Sequence, residues 1–208
     1  MPVAARLALA GLITVVALAV ALWPRTHDDT AAGGDHPANS VATASVEART
    51  AARLSPCPIP TPDAIGGGPL TGISVDCLAD GKPVDLATAL AGKPALLNLW
   101  AYWCGPCAKE LPFVQEYARR AGNAITVLTV HSDPDEARAL ALLTELKVTL
   151  PGVLDARAKV RTAVGAPAVL PVSVLLRADG SVAEVVVRAF NGVEDIADTV
   201  ENNLGVAA

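Results

Sequence analysis

Leu97-Asn98-Leu99-Trp100-Ala101-Tyr102-Trp103-Cys104-Gly105-Pro106-Cys107-Ala108-Lys109-Glu110-Leu111-Pro112 is the stretch on which the reading of this chain turns. It opens inside a continuous apolar run, Ala95 to Trp100, broken only by Asn98. A short run of that kind reads as a strand buried on both faces. From Pro106 to Ala121 the pattern is helical, with Pro112 inside it. Two cysteines therefore sit where a buried strand passes into a helix. Three aromatic residues, Trp100, Tyr102 and Trp103, crowd beside them in a chain that is only 3% aromatic.

The spacing of Cys104 and Cys107 has a chemical reason. A dithiol closes to a disulfide without backbone movement when two residues separate its members at a helix start. Cys104 is placed at the helix N-terminus, where unpaired N–H groups and the macrodipole favour a thiolate, the nucleophile of thiol–disulfide exchange. Cys107, one turn further in, is expected to be more buried and to resolve the mixed disulfide. Half a zinc site is the competing reading. Zinc wants four ligands, commonly two such pairs. Cys57 and Cys77 form no second pair of that spacing, and His27, His36 and His131 are scattered. The chemistry calls for no metal and no bound cofactor.

Outward from this stretch, strands and helices alternate. Ile73–Leu78 reads as a strand, Ala79-Asp80-Gly81-Lys82 as a turn, and Pro83–Asp85 as its returning partner. Leu86–Leu90 is a helical turn, and Ile125–Val130 a second buried strand. The stretch His131 to Glu136 reads as a helix start with proline in its first turn, the helix running to about Lys147. Gly152–Leu154 is a short strand and Ala158–Val164 a short helix. Val172–Leu176 and Val182–Ala189 form a hairpin through Ala178-Asp179-Gly180-Ser181, and Val193–Leu204 is a last helix. The order implies a mixed sheet, with crossover-linked parallel strands first and an antiparallel pair after.

At the N-terminus, Leu7 to Trp23 is uncharged and apolar, preceded by Arg6. Residues 1–24 are expected to be a membrane anchor with the domain on the extracytoplasmic side of the cell membrane. The alternative is a signal segment cleaved after Ala19-Val20-Ala21, leaving a secreted protein. Residues 25–55, poor in large apolar side chains, are expected to be a flexible linker, and 56–208 the folded domain. A net charge of −5 argues against nucleic acid as a partner. At 52% hydrophobic, the chain has material for a core even without its first 24 residues.

The stretch from Leu97 to Pro112 resembles the membrane-anchored, TlpA-like branch of thioredoxins, which includes ResA- and CcmG-like extracytoplasmic reductants for cytochrome c maturation. The resemblance covers about residues 70–205. It implies a thioredoxin fold, a central mixed β-sheet flanked by helices, here with an N-terminal β-hairpin extension. Asn98 stands where thioredoxin has a buried Asp, while Gly105-Pro106 is the thioredoxin pair. Leu170-Pro171-Val172 resembles the family's cis-proline segment, eight residues before Asp179. The resemblance implies that Pro171 faces the dithiol and leaves the Leu170 backbone open to an extended client. Trp103, Gly105, Pro106 and Leu170 would then border that client. Glu110 has two readings, an exposed acid in an early helix turn or a proton acceptor for Cys107 in place of the missing Asp.

Four cysteines in an exported chain point to two pairs. With Cys104 paired to Cys107, Cys57 falls to Cys77, a structural bond worth roughly 3 kcal/mol by loop entropy. The implied activity is a protein disulfide reductase. Its partners would be exported proteins with disulfides, apocytochrome c among them, a membrane electron-donor thiol protein, and the membrane itself. A disulfide-donating oxidase and a dithiol module that binds a client or metal are the alternatives. The Gly-Pro pair leans toward reduction.

Overall fold

The computed structural model describes residues 44–60 and 65–207. In chain order these hold α1 (Val46–Ala52), β1 (Ser74–Cys77), β2 (Pro83–Asp85), α2 (Leu86–Ala89), β3 (Ala95–Trp100) and α3 (Gly105–Ala121). There follow β4 (Thr126–His131), α4 (Glu136–Leu146), β5 (Gly152–Leu154), α5 (Lys159–Ala163), β6 (Val172–Leu176), β7 (Val182–Val186) and α6 (Val193–Leu204). The strands form one mixed sheet in the order β2-β1-β5-β4-β3-β6-β7. β3 and β4 are parallel, as are β4 and β5. β3 pairs antiparallel with β6, and β6 with β7. The β1–β2 hairpin extends the sheet by pairing antiparallel with β5. This is a thioredoxin-like α/β architecture.

β3 is central, and all six of its residues are buried. Its side chains alternate between two faces. Leu96 and Trp100 join α3, α4 and α6 in one apolar layer with Leu111, Val114, Leu140, Leu143, Ile196 and Val200. Leu97 and Leu99 join Leu128, Val130, Val174 and Leu176 in the opposite layer, closed by Leu86 and Val160 from α2 and α5. The apolar unbroken runs of β3 and β6 are what a strand covered on both faces needs.

Three expectations are corrected. The flexible spacer does not extend to residue 55. Val46–Ala52 is helical, capped by Ser45, whose hydroxyl accepts the Ala48 N–H. It is held down by Arg49. That guanidinium donates to the carbonyls of Cys77 (3.2 Å) and Leu78 (2.9 Å) and pairs with Glu136 at 2.7 Å. A small, polar composition is compatible with helix once one cation has three acceptors to reach. The second correction concerns α4, whose N-cap is Asp135, accepting the Arg138 N–H at 3.1 Å. Pro134 precedes the cap, and His131 belongs to β4. Thirdly, β7 ends at Val186, not Ala189. Ser173 opposes Val186, so Pro171 would oppose Arg188, and proline has no N–H to continue the ladder.

The expected anchor or signal segment, residues 1–24, and the linker up to residue 43 lie outside the described residues. Among the described residues no helix is long and apolar enough to cross a membrane.

Candidate active site

β3 delivers the chain to the site, and α3 begins it. Cys104 is the N-cap of α3, in an extended conformation, and its Sγ accepts the Cys107 N–H at 3.3 Å. Gly105-Pro106 forms the first turn, where proline loses nothing because that N–H has no helical partner. Cys104 and Cys107 are joined in a disulfide, with Cα atoms 5.2 Å apart. Cys104 is 5% exposed and Cys107 1%. Arg119 and Arg120 occupy the last turn of α3, complementing the negative end of its dipole.

The loop before the dithiol is fixed from β4. Trp100 and His131 are register partners, and their rings lie 4.7 Å apart. His131 Nε2 accepts the Tyr102 N–H at 3.3 Å. Burial holds this imidazole down to about 4, against the raising influence of Asp133 and Asp135, so it is neutral and able to accept. Trp103 is 60% exposed, and its indole N–H donates to Asp133 at 2.9 Å. Arg138 lies over the Tyr102 ring. The two tryptophans differ in kind: Trp100 is a wholly buried wall, Trp103 an open face tethered by its edge.

Glu110 is 1% exposed. One carboxylate oxygen accepts from Asn98 Nδ2, and the other accepts the Phe190 N–H at 2.8 Å. Asn98 also donates to Ser173 Oγ at 3.2 Å, its register partner on β6. Burial pushes the Glu110 carboxyl up to about 7, opposed by the hydrogen bonds from Phe190 and Asn98 and by the Arg188 charge. A buried carboxyl one helical turn beyond Cys107, poised between its two protonation states near neutrality, can take a proton or give one.

The Leu170–Pro171 bond is cis. Leu99 opposes Val172 across the β3–β6 pair, so Pro171 lies at the end of that pair from which the Ala101–Trp103 loop departs. Leu170 packs against the layer that contains Cys104 and Cys107. Cys57 and Cys77 form a second disulfide, with Cα atoms 6.0 Å apart. It ties the proline-rich segment to the end of β1, while the Ser55 N–H donates to Thr149 O at 2.8 Å.

Four contributors escaped sequence reasoning: His131, Asp133, Ser173 and Phe190. Ser173 left a signal, since it is the one polar residue in β6 as Asn98 is in β3. Two lone polar residues in buried strands need each other. His131 read as the first residue of a helix start because the strand was ended one residue early. Phe190 acts through its backbone, which no residue type announces.

Residues 60–201 match the Redoxin family. The thiol-disulfide oxidoreductase ResA of Bacillus cereus is 30% identical over 111 residues, covering 52% of this chain and 62% of that protein. This chain therefore spans less than two thirds of that relative's length. Among solved structures, a DsbF homologue from Corynebacterium diphtheriae superposes with a TM-score of 0.57 at 23% identity, over 71% of this chain and 99% of that one. The exposed lipoprotein thioredoxin of Streptococcus pneumoniae gives a TM-score of 0.54 at 26% identity, over 62% and 98%.

Proposed function

The chain belongs to the Redoxin family, and from that premise we propose that it is an extracytoplasmic thiol–disulfide oxidoreductase working through Cys104 and Cys107. The observation that carries the reading is the cysteine pair itself. One sulfur caps a helix and receives an N–H, while the other lies one turn deeper, three residues before a buried carboxyl on the same helix.

In the reducing direction the Cys104 thiolate attacks one sulfur of a client disulfide. A mixed disulfide forms and the client's first sulfur leaves as a thiolate. Cys107 then passes its proton to the Glu110 carboxylate and attacks Cys104 Sγ. The Cys104–client bond breaks, and the client's second sulfur leaves. Two electrons have moved: the client disulfide has become two thiols and the dithiol has become the Cys104–Cys107 disulfide. A thiol donor must reduce it again, and we assign that role to a membrane electron-donor thiol protein. Trp103, Gly105, Pro106 and the Leu170 backbone border the client, with Pro171 holding Leu170 open to it.

Exported proteins with disulfides are the proposed substrate class, and the haem-binding cysteines of apocytochrome c fit it. The TlpA-like resemblance and the likeness to ResA support this assignment. Location outside the cytoplasm is supported by the apolar N-terminal stretch and by the exposed lipoprotein relative. Anchoring through residues 1–24, rather than release after cleavage, belongs to the same proposal. The Cys57–Cys77 bond is assigned a structural role.

The test is a Cys107→Ser variant exposed to periplasmic-type protein extract and to a peptide carrying an oxidised Cys-X-X-Cys-His segment. The expected product is a stable mixed disulfide at Cys104, absent in Cys104→Ser. Failure of wild-type protein to reduce the peptide, with no adduct in Cys107→Ser, would rule the reading out.

A further inference from the structure

Glu110 is buried, yet two charges reach it from the molecule's surface. Arg188 follows β7, and Asp195 lies in the first turn of α6. They meet as a fork, Nη1 to Oδ2 at 2.7 Å and Nη2 to Oδ1 at 2.7 Å. Asp195 Oδ2 also accepts the Asn191 N–H at 3.0 Å. The Arg188 guanidinium lies 5.1 Å from the centre of the Phe190 ring. Phe190 in turn donates its N–H to Glu110. The connection from β7 to α6 is thus held by one ion pair at its outer side and by one buried carboxyl at its inner side.

The other elements packed against Glu110 face it with neutral groups. β3 presents Asn98, β6 presents Ser173 through Asn98, and Cys107 precedes it by three residues on α3. Arg188 and Asp195 are the two charges that act on it, in opposite directions. Both charges lie at the rim, where solvent partly screens them, and being of opposite sign they act on Glu110 against each other.

We propose that the Arg188–Asp195 ion pair is a positioning pair that adjusts the protonation equilibrium of Glu110, and through it the pH at which Cys107 is deprotonated to resolve a mixed disulfide. The inference rests on the reading of Glu110 as proton acceptor and adds the device that tunes it. Its signature is a pair of opposite shifts. Arg188→Met removes a cation and leaves the Asp195 anion, so the Glu110 carboxylate is disfavoured. Asp195→Asn removes the anion and leaves the Arg188 cation, while its amide oxygen still accepts the Asn191 N–H. The carboxylate is then favoured. A pair that merely pinned the backbone would give shifts of one sign, since both substitutions break the same fork.

The experiment forms the thionitrobenzoate adduct of Cys104 on the reduced full-length protein. Release of thionitrobenzoate by Cys107 is then followed as a function of pH. The midpoint should rise on the order of half a pH unit in Arg188→Met and fall by a similar amount in Asp195→Asn. The double variant should return toward wild type. A carbon-13 titration of the Glu110 carboxyl in the oxidised protein gives the same comparison without any reaction, and Arg188→Gln supplies a second replacement of the same sign. If Glu110→Gln leaves the release profile unchanged, the proton-acceptor reading fails. If Glu110→Gln alters the profile while both fork variants shift it the same way, or neither shifts it, the ion-pair inference alone is overturned.

Discussion

Glu110 carries the most weight of any side chain outside the cysteine pair, because its environment matches its proposed task. A surface glutamate, ionised at neutral pH, would be a poor reporter of Cys107. Burial lifts this one to about 7, where acceptor and acid are both populated. Glu110→Gln is expected to slow thionitrobenzoate release from the Cys104 adduct about a hundredfold near neutral pH, with little effect on adduct formation. Stopped-flow absorbance separates the two steps. Equal slowing of both would indicate general damage to the site. The cysteine chemistry was legible from the spacing at a helix start, together with the want of a second such pair to complete a zinc site. The burial of Glu110 was not. Its position after Cys107 fixes the helix face, but only the chain returning at Phe190 decides that this face is covered.

Among the elements, α1 and the β1–β2 hairpin show how a segment with little apolar surface can still be ordered. Arg49 is 11% exposed and Glu136 2% on their side chains, a nearly buried ion pair. Glu136 also accepts the Ala44 N–H at 2.9 Å. Removing one partner strands the other charge, so Arg49→Met should destabilise the protein by about 3–5 kcal/mol, measured by urea unfolding of the oxidised form. A loss under 1 kcal/mol would mean that α1 contributes little. The Cys57–Cys77 bond closes a loop of sequence separation 20. A Cys57→Ser, Cys77→Ser double variant should lose about 3 kcal/mol in the same assay while keeping its disulfide exchange rate. Strands were readable because burial on both faces leaves unbroken apolar runs. The α1 helix was not, because its stability comes from three distant acceptors and not from its own composition. The early end of β7 needed the register against Pro171 before it could be deduced.

For the molecule as a whole, two buried titratable groups pull stability in opposite directions with pH. Glu110 has a folded value raised from 4.5 to about 7. Between those limits the native state holds a proton that the unfolded chain has lost, so its contribution falls by about 3 kcal/mol as pH rises through that window. His131 is lowered from 6.5 to about 4. There the unfolded chain binds a proton that the native state refuses, so its contribution falls by about 3 kcal/mol as pH drops through that window. The windows overlap and largely offset. Glu110→Gln should therefore expose a loss of stability on acidification from pH 6.5 to 4, and His131→Phe a loss on raising pH from 4.5 to 7. Urea midpoints across that range check both, and parallel curves for the two variants would refute the assignment.

The register of β3 with β4 and β6 brings the Cys104 loop, His131 and Pro171 to one end of the central strands from three separate segments. The family resemblance had placed Pro171 opposite the dithiol, whereas the meeting of His131 with that loop depends on register that only the folded sheet supplies.

The central claim is that Cys104 and Cys107 form the exchanging couple while Cys57 and Cys77 hold the fold. Titration of the native protein against a graded glutathione buffer, with thiols alkylated at each step and located by mass spectrometry, tests it most directly. The account predicts that the Cys104–Cys107 bond opens first as a single two-electron step, with Cys104 labelled ahead of Cys107 and Cys57–Cys77 intact throughout. Opening of Cys57–Cys77 first, or labelling of Cys107 ahead of Cys104, would contradict it.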